Sequence, residues 1–380
     1  MQIDKDYLVR VRREMHKVPE LGFELPKSLA ILRKELDAIG IPYTEEYGRS
    51  CIIATLNEGV GNKTIAIRAD FDALPIMEET GLSFASTHPG NMHACGHDAH
   101  AAMLLTTAKA LKAMEKDIKC CVKFVFQSAE EILGGAKTIC DDGFMDQVDE
   151  IIGCHINPVH PAGTILTNPN CDSACSRGFK IHLYGRSAHV ASPQRGVDAI
   201  AMAVRVYSDI QFLRAREMNP IEPVIIGIGS IHGGTVNNII CDHVVMDVSV
   251  RTQHTELDAH IFERITHIAQ SVAEDMGGRA EIEVHKYSPA LRNDLTILSR
   301  LEESAKKVVG PENVRTKKDS MGAEDFAYYL QHKPGCMFSL GVMECQPPVP
   351  LHNGKMLLNE DSLEVGVKVF IQYILDQMEN

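Results

Sequence analysis

Met92 to Leu105 reads MHACGHDAHAAMLL, which crowds His93, Cys95, His97, Asp98 and His100 together before the chain turns apolar. Thiolate and imidazole side by side are good ligands for zinc and its neighbours. Gly96 separates Cys95 from His97 and lets the backbone bend so that both side chains can converge on one point. The bland alternative is a polar helix N-terminus, with Asp98 as its cap and the histidines in solvent. A Cys95–His97 nucleophile pair is the chemical rival. It is weakened because residues so close in sequence meet in awkward hydrogen-bond geometry.

Further along, VFQSAEEILGGA sets Glu130 and Glu131 between a short apolar strand and a helix. In extended backbone neighbouring side chains point opposite ways, so one carboxylate could bind metal while the other faces a water. His155 ends the apolar run EIIGCH, and His352 lies in the proline-rich loop PPVPLHNGKM. Each histidine alone reads as structural or exposed. Taken together, Cys95, His97, Glu131, His155 and His352, with Glu130 beside them, make a two-metal set. In RADFDALP, Asp70 and Asp72 alternate with apolar residues and present their carboxylates to the same side. Either could orient a metal-bound histidine; a salt bridge to Arg68 is the structural alternative.

These side chains need elements to carry them. The first third alternates helix signals (SLAILRKELDAIG, AHAAMLLTTAKALKAM) with strand signals (TIAIRADFDALP, CVKFVFQ, EIIGCH). That alternation predicts βαβ units and a largely parallel sheet, whose carboxyl edge is where ligands gather. From about Asp172 the order becomes strand, helix, strand, strand, helix, strand, the split ferredoxin-like motif. The expected organisation is an α/β domain at 1–173 and 288–380, interrupted by an α+β domain at 174–287.

Composition narrows the partners. A formal net charge of -13 argues against nucleic acid and anionic membrane, which need Lys and Arg. No apolar run is long enough to span a bilayer. The charged start MQIDKDYLVRVRREMHKVPE lacks a signal core. A cytoplasmic location is the default expectation, and the 11 cysteines then read as reduced thiols.

At this point the chain resembles the metal-dependent amidohydrolases of the aminoacylase and hippurate-hydrolase type, a group with N-acyl-amino-acid deacylases and auxin-conjugate hydrolases, related to carboxypeptidase G-type peptidases. The matching pieces are HKVPELGFE, RADFDALPI, MHACGHDAH, QSAEE, GCH, GRSAHVASPQRGVDAI, GGTVNNII, MGAEDF and LHN, in family order over nearly the whole chain. The resemblance implies a binuclear site of Mn, Zn, Co or Ni held by Cys95, His97, Glu131, His155 and His352, with Cys95 bridging. It implies Glu130 as general base and Asp72 as the carboxylate behind a ligand. His189 of GRSAH and Asn238 of GGTVNN match substrate and oxyanion contacts, and Arg251 is an anchor for a substrate carboxylate. The inserted domain would dimerise, bringing His189 to the partner's site. Glu324 and Asp325 lie near the site in relatives, although AEDFAYYL also reads as an ordinary capped helix. Ser128, Cys241 and Gly354 stand where prolines are usual. The activity implied is cleavage of N-acyl-L-amino acids to a carboxylic acid and a free amino acid. A dipeptidase or carboxypeptidase with the same metals, or a metal-binding relative without activity, are the alternatives.

Overall fold

The computed structural model describes residues 3–378. In chain order, helices α1 (Lys5–His16) and α2 (Pro26–Ile39) precede strands β1 (Tyr43–Thr44), β2 (Ile52–Leu56) and β3 (Thr64–Asp70). Then come α3 (His97–Ala113), β4 (Cys121–Gln127), α4 (Gly135–Asp141), β5 (Glu150–Pro161) and β6 (Ile165–Thr167). A second group holds β7 (Cys175–Tyr184), α5 (Ala199–Arg216), β8 (Val224–Gly233), β9 (His243–Thr252), α6 (Thr255–Asp275) and β10 (Arg279–Ser288). The chain closes with α7 (Leu295–Val309), β11 (Val314–Thr316), α8 (Ala327–Leu330), β12 (Gly335–Met343) and α9 (Leu363–Asp376).

Two compact units result. One comprises Ser173–Leu291 with Ser320–Glu324; the other is the rest of the described chain. Each has its own apolar core. The sequence pattern predicts an inserted segment at 174–287. The observed unit is longer and takes in 320–324, because Ala174 N–H donates to the Gly322 carbonyl at 2.7 Å and Arg251 to that of Met321 at 2.8 Å.

The larger unit is built on an eight-stranded sheet in the order β1-β2-β4-β3-β5-β12-β6-β11. Its inner strands β4, β3, β5 and β12 are parallel, as the βαβ pattern predicts. The flanks are not: β1, β2 and β6 pair antiparallel with their inner neighbours. The connections 57–63 and 162–164 are too short for a crossover helix, so the chain reverses there. Helix α3 packs on β3, α1 and α9 and is buried along most of its length. Its alanines, Ala99, Ala101, Ala102 and Ala108, allow that close approach.

The smaller unit has the order β10-β7-β9-β8, antiparallel throughout, with α5 and α6 packed on the sheet. Phe179, Ile181 and Leu183 alternate inward along β7, opposite Val244, Met246 and Val248 of β9.

After β4 the chain folds back tightly on itself before α4. A Cβ added at Gly135 would lie 1.7 Å from the Ser128 carbonyl oxygen, whereas one at Gly227 in β8 meets nothing. Gly135→Ala is therefore expected to cost about 1–3 kcal/mol through forced backbone shifts. Thermal melts should show a clear loss for that variant and little change for Gly227→Ala.

Candidate metal centre

The carboxyl edge of the inner parallel strands gathers the chemistry. β3 ends at Asp70, and Asp72 follows. Gly96 sits in the left-handed region at φ 83°, so α3 begins at His97 itself and Cys95 lies just before the bend. A side chain at Gly96 would strike Ile156, with Cδ1 at 2.2 Å. After β4, Ala129 and Leu133 both take positive φ, and Glu130 and Glu131 lie in a turn between them. That differs from the extended backbone expected for this pair. The two carboxylates thus point the same way: Glu130 Oε2 and Glu131 Oε1 lie 4.0 and 3.8 Å from His97 Nε2. Asp72 fixes the turn by accepting the Glu130 and Glu131 N–H groups at 3.0 and 3.2 Å. His155 projects from β5. His352 has φ 60° and donates its N–H to the Ala94 carbonyl at 2.9 Å, which ties its loop beside Cys95.

Donor atoms of Cys95, His97 and His155 lie within 4.8 Å of one another, as do those of Cys95, Glu131 and His352, and those of His97, Glu130 and Glu131. Cys95 Sγ is 3.4 Å from His155 Nε2. His155 Nδ1 donates to the Ile156 carbonyl at 2.7 Å, which leaves the Nε2 lone pair facing the thiol. His352 Nε2 is 3.6 Å from Glu131 Oε2, on the most open side of the cluster.

Electrostatics follow from burial. Burial, reinforced by His100, holds the His155 ring well below its usual range, so it is neutral. Burial pushes the Cys95 thiol well up; His97 opposes this and Glu131 reinforces it. Glu131 is pushed up to about 7, first by burial, with Asp72 and Asp70 adding to it against His97. At His97 burial disfavours the charged ring, but Asp70, Cys95 and Asp72 outweigh it. Both His97 ring nitrogens are buried without a hydrogen bond of normal geometry. A divalent cation suits this set: it would take a lone pair of His97 and replace the protons that Cys95 and Glu131 hold. Cys95 is shared between two of the donor groups. A nucleophilic cysteine needs a lowered pKa and access; buried Cys95 has neither.

A further group, Asp70, His97 and His100, also clusters. Asp70 and His100 of this group are already engaged. Asp70 accepts from Arg68 Nη1 at 2.7 Å and from His100 Nδ1 at 2.6 Å, and His100 Nε2 accepts the Ile156 N–H. Asp70 therefore makes the Arg68 pair anticipated as the structural alternative, whereas Asp72 lies 3.4 Å from His97 Nδ1. Asp98 is not the α3 cap, because Gly96 holds that position. It forms instead an ion pair with Arg12, Nε at 2.7 Å, and pairs with His16 Nδ1 at 2.7 Å, so α1 is clamped to α3. His93 is buried rather than solvated. Nothing local in the sequence pointed to Arg12 and His16 as partners of Asp98.

In the smaller unit, His189 and Asn238 come together. The loops carrying them pair through His189 with Ile239, and Val190 N–H donates to the Asn238 carbonyl at 3.0 Å. His189 is exposed, and its Nδ1 accepts the Ala191 N–H at 3.1 Å, which leaves Nε2–H as an outward donor. Arg251 donates Nη1 to the Met321 carbonyl.

Fold and donor set define a metal-dependent hydrolase of the α/β class. Residues 66–376 match the model of Peptidase family M20/M25/M40, and the chain belongs to that family. Among its relatives, an N-acetyldiaminopimelate deacetylase of Geobacillus is 34% identical over 96% of this chain and 96% of its own. Thermostable carboxypeptidase 1 of Saccharolobus solfataricus is 32% identical over 95% of this chain and 93% of its own. A Bacillus subtilis crystal structure described as a dinuclear metal binding peptidase of the M20 family superposes with a TM-score of 0.82 at 31% identity, over 99% and 98% of the two chains. No helix among the described residues is long and apolar enough to cross a membrane.

Because Asp72 holds both His97 and the Glu130–Glu131 turn, Asp72→Asn is expected to weaken divalent-metal binding roughly 10–100-fold. Competition with a chromogenic chelator measures it; unchanged affinity would remove Asp72 from the support of the centre.

Proposed function

We propose that the chain hydrolyses the amide bond of N-acyl-L-amino acids to a carboxylic acid and a free amino acid. The observation that carries this reading is the convergence of Cys95, His97, Glu131, His155 and His352 with a second carboxylate, Glu130, on the same pinned turn. Those five residues would hold a pair of divalent cations (Mn, Zn, Co or Ni), which would polarise the amide carbonyl and lower the pKa of the attacking water towards roughly 7. Glu130 takes the proton of that water as its oxygen adds to the carbonyl carbon. It then delivers the proton to the amide nitrogen as the C–N bond breaks. His189 serves as oxyanion donor through Nε2–H, a contribution typically worth about 2.7–4 kcal/mol. Asn238 contacts the substrate beside it, and Arg251 receives the amino-acid carboxylate.

We further propose that Ser173–Leu291 acts as a lid and dimerisation domain, with His189 serving the partner's centre. Ile200, Val204 and Tyr207 are exposed on one face of α5, and the neighbouring edge strand β8 exposes Ile225 and Ile231. Such a patch beside an open sheet edge suits a second copy of the chain. A peptidase reading draws on the carboxypeptidase relative.

Glu130→Gln should retain its metal and lose at least about a hundredfold in kcat, the low end of acid–base contributions. Wild-type turnover in that variant would remove Glu130 from the reaction. A panel of N-acetyl- and N-benzoyl-amino acids set against unblocked dipeptides, with manganese-loaded enzyme, separates deacylase from peptidase; faster dipeptide cleavage would overturn the proposed substrate class. Val204→Glu is expected to shift sedimentation from dimer to monomer and to lower kcat while metal content stays constant.

A further inference from the structure

Arg68, in the middle of β3, is among the largest fully buried side chains of the protein. A buried guanidinium persists only where its charge and donors are matched. Asp70 Oδ2 accepts from Nη1 at 2.7 Å, Asp325 Oδ1 from Nη2 at 2.9 Å, and Gln127 Oε1 from Nε at 2.8 Å. Asp325 is itself fully buried. It also accepts from Gln127 Nε2 at 2.8 and 2.9 Å and from the Ala136 N–H at 2.9 Å. Gln127 ends β4 and Ala136 lies in the first turn of α4, so one carboxylate grips both ends of the loop that carries Glu130 and Glu131.

The same network continues on the other side of Arg68. Asp70 Oδ1 takes the Nδ1 proton of His100, and His100 Nε2 accepts the N–H of Ile156, the residue after His155. An unbroken chain of buried hydrogen bonds thus joins the carboxylate loop to the strand that presents His155. We infer that Asp325 is a positioning residue: through Arg68, Asp70 and His100 it sets the separation between Glu130–Glu131 and His155. Its carboxylate also lies within 4.8 Å of those of Glu130 and Glu324, but it bonds to Arg68, to Gln127 and to the backbone of Ala136, and through them it holds the loop. This rests on the metal-centre reading above and adds to it a residue outside the donor set.

A merely structural ion cluster is the competing account, and the protein contains a control for it. Glu150, at the start of β5 and so at the opposite edge of the same sheet, is also buried and is held by Arg300, Lys63 and Tyr373. Asp325→Asn is expected to weaken Mn2+ binding roughly 10–100-fold in chelator competition and to lower kcat on an N-acyl-amino acid by a similar factor, with KM changed less. Glu150→Gln should lower the melting temperature while leaving Mn2+ affinity and kcat near wild type. If Asp325→Asn does not fold, Gln127→Met, which removes the amide that bridges Arg68 and Asp325, carries the same expectation. Wild-type Mn2+ affinity in either network variant, or an equal loss in Glu150→Gln, would overturn the inference. A wild-type protein that binds Mn2+ but cleaves no N-acyl-amino acid would sink the hydrolase reading alone, since the affinity comparison still decides the role of Asp325.

Discussion

Negative charge is concentrated where the parallel strands end, and everything around the centre answers to it. Asp70, Asp72, Glu130 and Asp325 are all buried there, with Glu131 nearly so. A buried carboxylate survives only with a cation or with several N–H donors to replace its water. The protein uses both. Arg68 serves Asp70 and Asp325, and backbone amides serve Asp72 and Asp325.

The local backbone bears the cost of this concentration. Ala129, Leu133 and His352 adopt positive φ although none is glycine, and all three flank or include proposed ligands. Such conformations persist when surrounding contacts over-determine them. Asp72 and Asp325 do that for the Glu130–Glu131 turn, and the Ala94 carbonyl does it for His352. Rigidity of this kind suits a centre whose donors must sit within a few ångströms of one another without collapsing onto each other.

The same logic extends away from the centre. Asp98 follows a proposed ligand directly, yet its carboxylate turns to α1, where Arg12 and His16 receive it. Helix α3 is thereby held at its first turn by α1 and at its start by the left-handed Gly96.

Much of this was legible in the residues. The crowding of His, Cys and Asp in MHACGHDAH, the paired glutamates after an apolar strand, and the alternation of helical and strand periods depend on local chemistry and spacing, which a sequence states outright. Other features were not. The flanking strands reverse because two connections are short, and the glutamates share one direction because Ala129 leaves the extended region. Asp70 and Asp72 look alike in RADFDALP, yet one pairs with Arg68 and the other backs His97. Asp325 also reads as one acid of an ordinary capped helix, and its partners Arg68 and Gln127 are far away along the chain. These outcomes are contacts between residues far apart along the chain. The sequence by itself determined which groups could bind a metal; only the packing of β3, β4, β5 and α3 decided which of several equivalent carboxylates face it, because a carboxylate's role depends on the donors that surround it.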